Sequence, residues 1–306
     1  MKFTHWIHYF WKVPLCGILF FFGFIPGGQL AALMGLSMPT MPLGADQATI
    51  AQFTLLGSLI LAFGLAAVSR GLSGSFLSRW LMLFSFTWIA YGINTYLEAA
   101  IFSTMAAASL YTVVLYLPAS LLCSAAVAWL FPSKAQSTGF FAQARSFFED
   151  RTAGNWAWRL FAAFLAFPVA YYIFGRLISP IVLPYYLQGV NQLALPGWGQ
   201  LLPVLALRSL LYLLACLPIL ITWKLSNGRL FLTLGLTLFI LVGGIAMLSA
   251  YWLPSVLRVT HSLEIFADEM VYAGALIILL GKQVKLPEGK REFVTAGESL
   301  KSTFLE

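Results

Sequence analysis

The sequence predicts an all-α integral membrane protein of eight transmembrane helices, arranged as a 4+4 parallel internal repeat with both termini cytoplasmic. Three observations carry this. Of 306 residues, 60% are hydrophobic and only 9% are charged, against roughly 25% charged in an average soluble protein. Eight segments are long and apolar enough to cross a bilayer, and the basic residues collect on one side of them. Mean hydropathy is +0.85. A soluble domain of this length needs polar surface that the chain lacks. This excludes a soluble enzyme, a nucleic-acid-binding domain, a disordered chain and a disulfide-stapled secreted module.

Crossing a hydrocarbon core of roughly 30 Å takes about 20 mostly apolar residues. The segments run over about 11–35, 48–69, 80–102, 106–131, 157–179, 201–223, 229–251 and 258–281. Pro26, Pro118, Pro168 and Pro218 fall inside them and predict kinks, which membrane helices tolerate where neighbours satisfy the freed carbonyl. Trp6, Trp11, Trp129, Trp156, Trp158, Trp223, Tyr251 and Trp252 gather near segment ends as interfacial anchors. Met1-Lys2 followed by the apolar run Val13 to Phe24 has the outline of a signal peptide, but no clean small-x-small cleavage site follows. The first segment is therefore read as an uncleaved helix. Cys16, Cys123 and Cys216 are scattered through apolar stretches without a CxxC pair and read as small core residues.

Basic residues set orientation. With the N-terminus inside, all of the 18 Lys and Arg residues except Arg176, Arg208 and Arg258 fall on the inner side or at its interface. The expected setting is a cell membrane with both termini in the cytoplasm. Residues 1–131 form the first four-helix repeat, 132–156 a cytoplasmic linker, 157–281 the second repeat and 282–306 a flexible cytoplasmic tail. In the linker, Phe140, Phe141, Ala144, Phe147 and Phe148 make an apolar stripe opposite Gln143, Arg145 and Glu149. That pattern fits an amphipathic helix in the inner interface or a linker helix packed under the bundle.

The halves share landmarks. Trp11-Lys12 opens the first span and Trp158-Arg159 the fifth, and at that offset Gly28-Gln29-Leu30 falls on Gly175-Arg176-Leu177. Both spans then run into proline-containing outer loops, Met38 to Pro42 and Pro180 to Pro196. The second and sixth spans end at Ser69-Arg70 and Trp223-Lys224, each before a short polar turn; counted back from these ends, Arg208 falls on Thr54. Four spans per half give both halves one orientation, hence a pseudo-two-fold axis along the membrane normal.

The halves differ in charge. On an α-helix His261, Glu264, Asp268 and Tyr272 lie within about 80° of arc, flanked by Arg258 and Glu269. Asp268 sits about 15 Å deeper than Arg258, near mid-membrane. Each ionised side chain at that depth costs about 2.5–3.5 kcal/mol, so this stripe faces protein or water rather than lipid. Arg176 and Arg208 are the cations available to it, and Asn94 and Glu98 lie one turn apart near the outer end of the third span.

Two readings follow. The residues form either a salt-bridged pin or the lining of a cavity open to the outside, in which Asp268 and Glu264 carry a proton or cation, His261 modulates them, and Arg208 and Arg176 hold an anion or neutralise the acids. The expected partners are the lipid bilayer with either a small polar or ionic solute or another protein of a membrane complex, and no nucleic acid. Transport or binding of the solute, a non-catalytic accessory subunit, and an intramembrane enzyme acting on a lipid all stay open. No cofactor or metal is expected, since His261 is the single intramembrane histidine and zinc takes several His or Cys ligands. Gly71-Leu72-Ser73-Gly74 matches the GxSG motif of rhomboid proteases, but it lies in an inner turn, out of reach of His261. Asp268-Glu269 is similar to the paired acids of prenyl-protease-like membrane proteins, without their EExxxR pattern or second histidine helix.

Overall fold

A computed structural model of the chain describes residues 4–42, 44–103, 110–133 and 139–281, with side chains from residue 10 onward. The expected tail 282–306 lies outside the described residues, as do the first residues of the fourth span and part of the linker. The described chain is helical: α1 (Thr4–Leu33), α2 (Gln47–Gly71), α3 (Phe76–Phe102), α4 (Leu110–Leu130), α5 (Phe140–Glu149), α6 (Ala153–Leu187), α7 (Trp198–Thr222), α8 (Asn227–Ser249) and α9 (Ser255–Leu280).

Seven of these helices (α1–α4 and α6–α8) are long and apolar enough to cross a membrane. The architecture is that of a multi-pass membrane protein. The α9 helix has 26 residues, as long as its neighbours, but carries Arg258, Glu264, Asp268 and Glu269. Its acids are buried against the other helices.

Local signals place the helix starts. Asp46, Ser75, Thr152 and Ser226 each accept a hydrogen bond from a backbone N–H in the first turn that follows, as N-cap side chains do. Basic side chains from other elements close the far ends. Lys12 Nζ donates to the Leu130 carbonyl at 3.0 Å and Arg79 to Phe131 at 2.5 Å, both at the end of α4. Arg159 donates to Leu279 and Arg151 to Gly281, both at 2.7 Å, at the end of α9. A cation suits the carbonyl end of a helix because the last carbonyls lack partners and the helix dipole is negative there.

The helix α1 packs along α4 and α6 along α9, while α2 crosses to α8 and α3 to α7. The α1–α4 contact is close because Gly23 carries no side chain: a Cβ there would meet the Ala119 backbone. At the end of the bundle where α2 turns into α3 and α7 into α8, Leu72 pairs with Trp223 as an isolated antiparallel bridge. Its bonds are reciprocal, Ser73 N to Thr222 O at 3.0 Å and Lys224 N to Gly71 O at 2.9 Å.

The helices depart from the expected segments in three ways. The first is α6, which runs to Leu187 through Pro180 and Pro184 instead of yielding to a loop at Pro180. Four residues apart, these prolines share an exposed face and leave unbonded only the carbonyls of Arg176 and Pro180. The second is a π turn within α3 and α8, at Trp88–Ile93 and Ile240–Gly244. The third is the α6–α7 connection, which lies against the end of α3 through a Ser103–Leu193 bridge.

Candidate functional site

The sequence puts Arg208 and Tyr212 four residues apart on α7, which stacks them on one face. Buried Arg208 reaches across to α3, where its Nη1 lies 2.5 Å from Glu98 Oε1. Its Nη2 donates to Tyr212 Oη at 3.4 Å, and Tyr212 donates to Asn94 Oδ1 at 2.6 Å. Asn94 Nδ2 in turn donates to the Val242 carbonyl at 3.1 Å, inside the π turn of α8. A π turn loosens the regular helical ladder, and Asn94 takes the carbonyl offered there. The guanidinium also sits over the rings of Phe167 and Tyr171 on α6, 5.0 and 5.5 Å from their centres, in cation–π contact. One arginine thus ties α3, α6 and α7 together, and Asn94 extends the tie to α8.

Beside this brace lies a cavity of about 400 Å³. It is enclosed by α3, α6, α8 and α9 and reaches the connections at the end of the bundle opposite the Leu72–Trp223 bridge, where Asn191, Leu193, Trp252 and Leu253 line it. Arg208, Asp268 and Glu269 line its deep end. Higher up, His261 Nδ1 is 2.7 Å from Glu264 Oε2, and its Nε2 is 3.3 Å from Tyr186 Oη. Gly175 makes room for Glu264, because a Cβ there would stand 3.2 Å from Glu264 Oε1. Asp268 is 3% exposed and its Oδ1 has no hydrogen-bond partner; Glu269 is 0% exposed and neither of its oxygens has one. Charged groups so placed are costly unless something compensates them.

Of the residues singled out by sequence, Glu98, Arg208, His261, Glu264, Asp268 and Glu269 all line this cavity. Asn94 and Tyr272 are buried nearby, Asn94 in the brace and Tyr272 packed against Phe167 with its hydroxyl unpartnered. Arg258 does other work: it donates to the Met247 and Leu248 carbonyls at 3.0 and 3.1 Å, closing the end of α8. Arg176 points away, on the exposed face of α6 beside the residues that line the cavity. Sequence reasoning did not single out Tyr186, Tyr171, Phe167 and Tyr212. Only Tyr212 had a signal, its spacing from Arg208. Among the described residues no group of three or more His, Cys, Asp or Glu is placed to hold a metal ion.

Fold and cavity together define a helical multi-pass membrane protein with a charged pocket among its helices. Compared with known proteins, the chain matches no family model, no curated sequence and no solved structure.

Proposed function

We propose that this chain is an eight-span membrane protein of the cell membrane, with both termini cytoplasmic, that binds or transports a small polar or ionic solute through the cavity. The observation that carries this reading is the pair Asp268 and Glu269, deeply buried yet without partners, at the floor of an open-ended cavity. A pin is complete without them: the bonds of Arg208, Glu98, Tyr212 and Asn94 already join the halves. The structural reading therefore accounts for the brace, and the functional reading for the acids beside it. With the basic residues inside, the cavity faces outward and α9 is the eighth span.

The same reading includes the 4+4 repeat. Under a two-fold axis a residue pairs with its own equivalent, and the reciprocal bonds around Leu72 and Trp223 have that form. Ser75 and Ser226 cap the helices that follow, α3 and α8, and each of these contains a π turn. Lys12 and Arg159, matched by sequence, each close the fourth helix of their own half. The bridge sets the register, which puts Arg208 on Gly57 rather than Thr54. Gly28 lies next to the Tyr111 hydroxyl as Gly175 does to the Glu264 carboxylate. That contact aligns α4 with α9, so that Tyr111, Leu115 and Tyr116 fall on Glu264, Asp268 and Glu269. Phe20, Phe24, Tyr91 and Tyr116 pack ring on ring in the first half; the second half has a cavity and acids instead.

The test is access from outside. Cys16, Cys123 and Cys216 are all buried, so a cysteine introduced as Asp268→Cys reports on the cavity with little background. A membrane-impermeant methanethiosulfonate cation applied to the outer face labels it, and Asp268→Asn inserts and folds normally but loses solute movement in vesicles. If Asp268→Cys resists labelling from outside, or if Asp268→Asn changes thermal stability alone, the acids belong to a dry structural network.

A further inference from the structure

We infer that the solute is an organic monocation, a protonated amine on an apolar body, that docks its charge on Asp268. This rests on the cavity being a solute site and goes further by naming the class of solute. Four carboxylates line the cavity, Glu98, Glu264, Asp268 and Glu269, against one arginine and one histidine. Both basic groups are already committed: Arg208 to Glu98 and the rings of α6, His261 to Glu264. That leaves Asp268 and Glu269, side by side in sequence, which line the deep end of the cavity with no hydrogen-bond partner for Asp268 Oδ1 or for either Glu269 oxygen.

An anion entering that space meets two carboxylates and an arginine with little left to offer, since only its Nε is without a contact. A bare metal ion loses its water shell and finds no set of three ligands among the described residues, whereas such ions demand six or more oxygens. An ammonium group needs less, one or two charge-assisted hydrogen bonds. The remaining lining suits the rest of such a molecule. Phe102, Tyr171, Tyr186, Trp252, Val242 and Leu257 present aromatic faces and hydrocarbon, which attract both the cation and an apolar body.

The experiment uses the purified full-length protein in lipid nanodiscs and three isosteric probes: 2-phenylethylammonium, 2-phenylethanol and 3-phenylpropionate. A ligand that binds only the folded state stabilises it by RT ln(1 + L/Kd) at free concentration L, so the melting temperature starts to rise near its Kd. The ammonium probe is expected to raise it, the alcohol and the carboxylate to need at least about tenfold more ligand for the same shift, and Asp268→Asn to raise the concentration the amine needs by about tenfold or more. A carboxylate or alcohol that stabilises as well as the amine overturns the cation assignment while leaving the solute cavity standing. So does an absence of any amine effect in a protein whose Asp268→Cys variant labels from outside; the acids then hold protons. Failure of that labelling overturns the cavity itself. Where Asp268→Asn does not fold, Val242→Phe serves in its place: it fills the cavity with hydrocarbon, and an amine effect that survives it overturns the proposal.

Discussion

Asn94 is the residue on which most of the polar order between the two halves turns. Its amide faces two ways, giving a proton to the Val242 carbonyl and accepting one from Tyr212. Both partners are buried, so neither finds water when Asn94 is removed. Asn94→Ala is expected to cost about 1–3 kcal/mol, read as a lowered unfolding midpoint in detergent. At this scale the sequence was partly legible. A helix stripe can be counted from spacing alone, so the acids of α9 stood out. The identity of their neighbours could not be counted, because Glu98 and Arg208 meet across a helix–helix contact whose rotation no single-chain pattern encodes. The same limit applied to Arg176: its position along α6 was readable from sequence, its exposed face was not.

Helices were easier to foresee than their irregularities. Apolar length marked nearly every element, but α6 outlasts two prolines, and the π turns of α3 and α8 have no proline to announce them. What holds such elements in place at the end opposite the Leu72–Trp223 bridge is small. Asp46 caps α2 and also touches Tyr251 of the α8–α9 connection, with its Oδ2 at 3.0 Å from the Tyr251 hydroxyl. The Thr49 backbone N–H, followed by the Thr49 side chain and then Tyr251, holds this exposed carboxyl below the usual carboxylate value. A lowered value means that the ionised form belongs to the folded state. The contact is at full strength above about pH 4 and is lost as pH falls through the lowered value. The protection factor of the Thr49 amide, its exchange rate relative to that of an unstructured peptide at the same pH, is expected to fall in that acid range, and Asp46→Asn to remove the step; a protection factor unchanged across the range would contradict the assignment.

For the whole molecule, the proposed symmetry makes a geometric demand. Leu72 and Trp223 form the pair flanked by the reciprocal bonds, the closer kind of antiparallel pair, with about 4.5 Å between Cα atoms. That spacing falls within disulfide range. Leu72→Cys combined with Trp223→Cys is expected to cross-link under mild oxidation, so that a chain cut between α4 and α5 still runs at full length on a non-reducing gel. Separate fragments would show that the two turns do not meet. The proposed repeat was legible in sequence only as short landmarks, Trp-Lys against Trp-Arg, a pair of glycines, proline-containing loops and basic span ends, because apolar helices resemble one another whatever their ancestry.

Under the proposed repeat, the edge at Leu72 and Trp223 has a history as well as a geometry. Before duplication, a single four-helix ancestor with this turn would have met a second copy of itself through the same two bonds, as a symmetric dimer with two identical aromatic-filled halves. On that reading, fusion into one chain removes the obligation to keep the halves alike. One could remain the filled scaffold while the other exchanged tyrosines and a leucine for acids, a change that in a dimer would have burdened both sides at once.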